Sequence, residues 1–200
     1  MAIQIHGSVI AIFLFSLLEI LFMIPIFIYI KYYKLETKNY IKDLIFINGL
    51  KSRKTFIYIF LSIAIALGMI FIAPYIILFL KNSFIFFFGS SAFEQAEENL
   101  NEFIFTIGNP IDILLVFIMS FFLIALFEEL FFRSFLLNSM KLSKNWKMIL
   151  SSVFFSVYHL ITSFNIYSFI YMFFYYFIWG ILLCIEFYAC KKHLIFPIIT

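Results

Sequence analysis

Two adjacent glutamates and an arginine stand at the end of a long uncharged stretch of the sequence. The motif reads FEELFFR, and the run of residues from 113 to 127, which includes its first phenylalanine, carries no charge. An ionisable side chain inside a bilayer costs at least a few kcal/mol, so such residues are functional candidates by default. We therefore treat Glu128, Glu129 and Arg133 as candidate site residues.

Helix geometry assigns different surroundings to the two glutamates. Residues four apart share one face of a helix, whereas neighbours point roughly 100° apart. Glu129 is therefore predicted to form an ion pair with Arg133, one turn further along. Glu128 faces apolar residues and has no cation in its own helix, which makes it the candidate general base. A purely structural Glu–Arg pair is the alternative interpretation.

A histidine in the next apolar segment is the predicted partner of Glu128. In SVFFSVYHL, Phe155 and His159 lie one turn apart on the same face. At 1.5 Å per residue, His159 is roughly 17 Å and Glu128 roughly 20 Å from the short basic turn that joins the two helices. Antiparallel packing would then bring them to one depth, where they could bind and deprotonate a water. A histidine that only hydrogen bonds between helices is the alternative.

The composition is that of a multi-pass membrane protein rather than of a soluble domain. Hydrophobic residues make up 65% of the 200 residues, the mean hydropathy is +1.09 and only 12% are charged, against about 25% in soluble domains. The net charge of +3 does not indicate nucleic-acid binding. Cys184 and Cys190 lack the spacing of a metal site or redox motif and are expected to be structural.

The apolar segments predict an all-α, polytopic transmembrane helical bundle with five spans and the start of a sixth. A span requires roughly 20 apolar residues. The five segments are Val9–Ile30, Phe56–Leu80, Ile113–Leu137, Met148–Ser163 and Ile166–Tyr188, and the sixth begins at Leu194. Glu19 interrupts the first span and is expected to pair with a polar group across the bundle. Glu186 is expected to extend to the cytoplasmic surface.

The charges of the loops predict the orientation in the cell membrane. Lysine and arginine are concentrated in the loops that follow the first, third and fifth spans, and such loops stay in the cytoplasm. The loop 81–110 carries four glutamates and is predicted to be external, as is the N-terminus. Its apolar residues recur at helical spacing, namely Phe93, Ala96, Leu100 and Phe103. They predict a helix that lies on the membrane surface or packs on the bundle.

Glu128-Glu129-x-x-x-Arg133 followed by Phe155-x-x-x-His159 resembles the first two motifs of the CAAX protease and bacteriocin-processing family. This family contains the type II CAAX prenyl endopeptidases and their bacterial relatives, the Abi proteins. The resemblance covers roughly residues 113–200 and predicts a CAAX-protease-like membrane core there, C-terminally incomplete. Residues 1–112 would then form a region of N-terminal membrane helices with a basic cytoplasmic loop and an acidic external loop.

The resemblance implies an intramembrane endopeptidase that cleaves a peptide or lipidated protein without a covalent intermediate. Glu128 and His159 would activate the water, Glu129 and Arg133 would position the site, and Phe155 would line the substrate pocket. It implies no cofactor. Zinc bound by Glu128, Glu129 and His159 is a weak alternative, because adjacent glutamates point apart and cannot easily bind one ion.

The third motif of the family, HxxxN or HxxxD in a later helix, has no match in this sequence. Its side chains are thought to stabilise the oxyanion, and loss of one such donor costs about 10²–10³ in rate. Either the chain is a fragment that stops before the motif, or it is a weakened or inactive member. The absence keeps open a second function, that of a non-catalytic immunity or scaffolding protein that binds a peptide in the same cavity.

Overall fold

The protein is described by a computed structural model that covers residues 7–45, 52–101, 110–160 and 165–200, and the regular elements within these residues are all helical. The predicted all-α class is therefore confirmed for them. The helices are α1 (Gly7–Leu18), α2 (Met23–Tyr32), α3 (Thr37–Ile45), α4 (Ser52–Phe88), α5 (Ser90–Asn101), α6 (Pro110–Met119), α7 (Leu126–Glu129), α8 (Leu137–Ser139), α9 (Lys144–Leu160), α10 (Ile166–Ala189) and α11 (Ile195–Ile199).

Within the described residues, four helical stretches are long and apolar enough to cross a membrane. They are Ile12–Tyr32, Thr55–Phe88, Pro110–Ser139 and Ile166–Ala189, and they coincide with four of the five predicted spans. The other predicted span corresponds to α9, which has 17 residues and begins with a lysine; residues 161–163 of the prediction lie outside the described part. Five spans and the start of a sixth remain a prediction.

The first span changes its helical pitch around the buried Glu19. A 3-10 turn, Glu19–Phe22, separates α1 from α2. Pro25 lies just beyond this turn and has no N–H to donate to the carbonyl four residues earlier, so the regular α-helical ladder cannot continue unchanged. A short 3-10 stretch within a helix commonly marks a strained or functional position.

The third span contains two wider, π-helical segments, Ser120–Ala125 and Leu130–Leu136. Between them, the four-residue helix α7 ends in Glu128 and Glu129. A π-helical turn holds more residues than an α-helical turn, so each such segment alters the direction of the side chains that follow. Turns of this kind often occur at functional sites, and here they flank the two glutamates.

Helix α9 packs closely against both α10 and the third span. The Ser151 hydroxyl donates a 2.6 Å hydrogen bond to the Phe132 carbonyl. On the other side, Gly180 of α10 lies so close to Ser152 that an added Cβ would be 2.9 Å from the Ser152 Cβ and 3.0 Å from its Cα. These two contacts fix the position of the helix that carries His159.

The acidic loop contains a helix that packs on the bundle. Ala92, Phe93 and Ala96 of α5 are buried in a cluster with Phe84 and Tyr171, and the Ser168 hydroxyl donates a 3.0 Å hydrogen bond to the Ala96 carbonyl. Of the two predicted arrangements, packing on the bundle is the one observed. The Leu100 side chain and Phe103 lie outside the described part.

We expect Gly180→Ala to lower the free energy of unfolding by about 1–3 kcal/mol, because the new methyl group overpacks the contact with Ser152. Gly68→Ala is the matched control, since nothing lies within 4 Å of its added Cβ and alanine favours the helix. Thermal unfolding of the purified protein in detergent measures both changes. Equal stability of the two variants would contradict the close contact between α9 and α10.

Candidate active site

The third span and α9 bring Glu128 and His159 together. The Glu128 Oε1 atom is 3.7 Å from the His159 Nε2 atom, and both side chains are largely buried. The prediction that these residues reach the same depth on antiparallel helices is therefore confirmed. Their catalytic roles remain a prediction.

A hydrogen bond at Nδ1 orients the His159 ring so that Nε2 faces Glu128. The Nδ1 atom lies 3.0 Å from the Phe155 carbonyl oxygen. A carbonyl can only accept, so Nδ1 carries a hydrogen, and in the neutral imidazole Nε2 then presents its lone pair to Glu128. A lone pair and a carboxylate are both acceptors, and their 3.7 Å separation exceeds a normal hydrogen bond. A water molecule that donates to both groups suits this arrangement.

Aromatic rings surround the imidazole. The ring centroid of Phe155 lies 4.2 Å, that of Tyr176 4.5 Å and that of Tyr158 5.2 Å from the centroid of His159. The His159 side chain keeps 23% of its surface exposed and the Glu128 side chain 11%. The pair thus lies in an apolar enclosure that is open on part of one side.

Glu129 and Arg133 form the predicted ion pair. Their Oε1 and Nη1 atoms are 3.1 Å apart, and the Arg133 side chain is completely buried. The guanidinium carbon also lies 4.1 Å from the centroid of the Phe155 ring, a distance at which a cation is attracted to an aromatic face. The arginine thereby contacts the residue whose carbonyl orients His159.

Phe155 contacts both Arg133 and His159. Only 5% of the residue is exposed. Its predicted place in the substrate pocket remains a prediction, and the observed contacts also make it a support for His159.

The proposed zinc ligands do not converge on one point. Among the described residues, no three histidine, cysteine, aspartate or glutamate side chains are placed to share a metal ion. Glu129 is directed to Arg133, whereas Glu128 faces His159. A three-ligand zinc site composed of Glu128, Glu129 and His159 therefore does not fit this geometry.

Glu19 and Glu186, acidic residues outside the motifs, are also buried in the bundle. Glu19 accepts a hydrogen bond from the Tyr158 hydroxyl, which confirms the expected polar partner across the bundle. The prediction for Glu186 was wrong: the residue is 1% exposed. Its carboxylate oxygens lie 2.8 and 2.7 Å from the Thr200 hydroxyl, a partner more than two helical turns away in the sequence that no local pattern indicates.

The match to known proteins covers the C-terminal part of the chain, which carries both motifs. Residues 110–200 match the family of Rce1-like type II CAAX prenyl endopeptidases. The resemblance is confirmed for this segment. No curated protein and no solved structure matches the chain. The CAAX endopeptidase-like segment thus includes Glu128, Glu129, Arg133, Phe155 and His159, whereas Glu19 lies outside it.

We expect Arg133→Met to lower the free energy of unfolding by about 3–5 kcal/mol, because it leaves the Glu129 carboxylate buried without its cation. The double variant Glu129→Leu/Arg133→Met removes both charges and should recover much of that stability. Thermal unfolding in detergent provides the comparison. A double variant that is no more stable than Arg133→Met would show that the ion pair does not account for the loss.

Proposed function

We propose that this protein is an intramembrane endopeptidase that resembles the CAAX prenyl proteases and hydrolyses its substrate with a water activated by Glu128 and His159. The observation that carries the proposal is the 3.7 Å approach of Glu128 Oε1 to His159 Nε2. The hydrogen bond of Nδ1 to the Phe155 carbonyl supports it, because that bond directs the lone pair of Nε2 into the site. The match of residues 110–200 to the endopeptidase family supports the reaction class.

The chemistry follows from two acceptors that share one water. Glu128 takes one proton from the water, while the other hydrogen of the water donates a hydrogen bond to His159. The water oxygen then attacks the scissile carbonyl carbon. The carbon–nitrogen bond then breaks, and the proton held by Glu128 passes to the departing amine. The peptide is cleaved into an acid and an amine without a covalent intermediate on the protein.

Glu129 and Arg133 hold the site in place and do not contact the reacting atoms. Their ion pair is buried, and the guanidinium packs on the ring of Phe155. Phe155 in turn supplies the carbonyl that orients His159. This series of contacts connects the charged pair of the first motif with the histidine of the second.

The substrate class follows from where the site lies. Glu128 lies within the 30-residue helical stretch Pro110–Ser139, which is long and apolar enough to cross a membrane, and this supports a scissile bond that reaches the site from the bilayer. A peptide with an apolar anchor, such as a covalently lipidated protein or a membrane-inserted segment, meets that condition. The bilayer and such a peptide are the partners we propose.

We expect Glu128→Gln and His159→Ala each to reduce hydrolysis by about 10²–10⁴-fold, the usual contribution of an acid–base group. The full natural protein in lipid nanodiscs is incubated with a quenched fluorescent peptide that carries a farnesylated cysteine near its C-terminus, and with the same peptide without the lipid. Glu94→Gln, at an exposed position of α5, is the matched control and should leave the rate unchanged.

Cleavage at the normal rate in both Glu128→Gln and His159→Ala would refute the proposed mechanism. Cleavage of the farnesylated peptide alone would indicate a lipidated substrate, and cleavage of both peptides a more general one. The non-catalytic immunity or scaffolding role predicts instead that Glu128→Gln keeps the biological function of the protein in its host cell.

A further inference from the structure

Glu19, in the first span, has no part in the proposed chemistry although it lies beside the site. The residue is 6% exposed and begins the 3-10 turn Glu19–Phe22. Its Oε1 atom accepts the hydrogen bond of Tyr158, whereas its Oε2 atom is buried and has no hydrogen-bond partner within the described residues. A carboxyl group at such a position is costly to bury, so its presence needs an explanation.

Tyr158 is the residue that connects Glu19 with the site. It precedes His159 in α9, and its ring meets the imidazole edge-on, at 87°. On its other side the ring contacts Phe22 of the first span, with centroids 4.8 Å apart. The ring is thus held by an aromatic contact and its hydroxyl by Glu19. An imidazole packed against a fixed ring has less freedom to turn away from Glu128.

We propose that Glu19 is a positioning residue of the Glu128–His159 site, which acts through its hydrogen bond to Tyr158 to hold the imidazole in place. The first span, outside the family match, would then complete a site whose reacting groups lie in residues 110–200. The effect on catalysis rests on the proposed function. The placement of the imidazole does not, because it can be measured without a substrate.

The variants distinguish the effect of the hydrogen-bond acceptor at position 19 from the effect of its charge. Glu19→Leu and Tyr158→Phe each remove the bond, whereas Glu19→Gln keeps an oxygen acceptor at the same position. We expect the first two to lower kcat/KM for the farnesylated peptide about 10-fold, through kcat, since small misplacements at a site have effects of this size or larger. The double variant should lose no more than either single variant, and Glu19→Gln should retain the activity.

Two substitutions serve as matched controls. Leu21→Ala lies in the same 3-10 turn, where the side chain is exposed, and Tyr75→Phe removes a hydroxyl from an exposed tyrosine of α4. Both should leave kcat/KM unchanged. Tyr158→Phe removes a single oxygen atom and tests the same bond should Glu19→Leu fail to fold.

The imidazole itself provides a second readout. We would record ¹⁵N NMR spectra of the full chain labelled at histidine in nanodiscs, and assign the His159 signals by their loss in His159→Ala. The wild type should show a protonated Nδ1 and an unprotonated Nε2. Glu19→Leu and Tyr158→Phe should show mixed tautomers or broadened signals, and Glu19→Gln should match the wild type.

The proposal would be overturned if Glu19→Leu and Tyr158→Phe left both the spectra and kcat/KM unchanged in an assay where Glu128→Gln loses cleavage. An equal loss of kcat/KM in Glu19→Gln and Glu19→Leu would overturn the proposal as well, because the oxygen acceptor kept in Glu19→Gln would then not explain the activity. If Glu128→Gln and His159→Ala both cleaved normally, the proposed function would fail. The NMR spectra alone would then decide whether Glu19 positions His159.

Discussion

The ring of Phe155 contacts both the Arg133 guanidinium, whose carbon lies 4.1 Å from the ring centroid, and the His159 imidazole, whose centroid lies 4.2 Å away. The same residue offers its carbonyl oxygen to His159 Nδ1. Through these contacts one apolar residue packs against both the buried ion pair and the histidine. A smaller residue would leave the guanidinium without its aromatic face and the imidazole without one wall, so the geometry of the whole site depends on this position.

Charged groups among apolar helices need partners in place of bulk water, and this protein gives its two adjacent glutamates different partners. Glu129 and Arg133 neutralise each other in a fully buried pair. Glu128 instead faces the partly exposed His159. Two adjacent residues of one helix therefore lie in different surroundings, and the angle of roughly 100° between neighbouring side chains makes that possible.

Close helix packing places these groups with the accuracy that such a site needs. The contact of Gly180 with Ser152 sets the distance between α10 and α9, and the bond from Ser151 to the Phe132 carbonyl joins α9 to the third span. Small residues allow helices to approach closely in a membrane, where no hydrophobic force drives them together. The π-helical segments on both sides of α7 adjust the direction of the glutamates within this packing.

The sequence by itself determined the helical class, four of the spans, the Glu129–Arg133 pair and the common depth of Glu128 and His159. These features depend on local periodicity and on distances along a helix, both of which can be counted from the residues. Tertiary structure decided the 3.7 Å approach of Glu128 to His159, the contact of Arg133 with Phe155 and the meeting of Glu19 with Tyr158. It also buried Glu186 against Thr200 instead of leaving it at the surface. Such contacts join different helices, and the rotation and separation of those helices depend on packing around glycine, serine and π-helical turns rather than on any single segment.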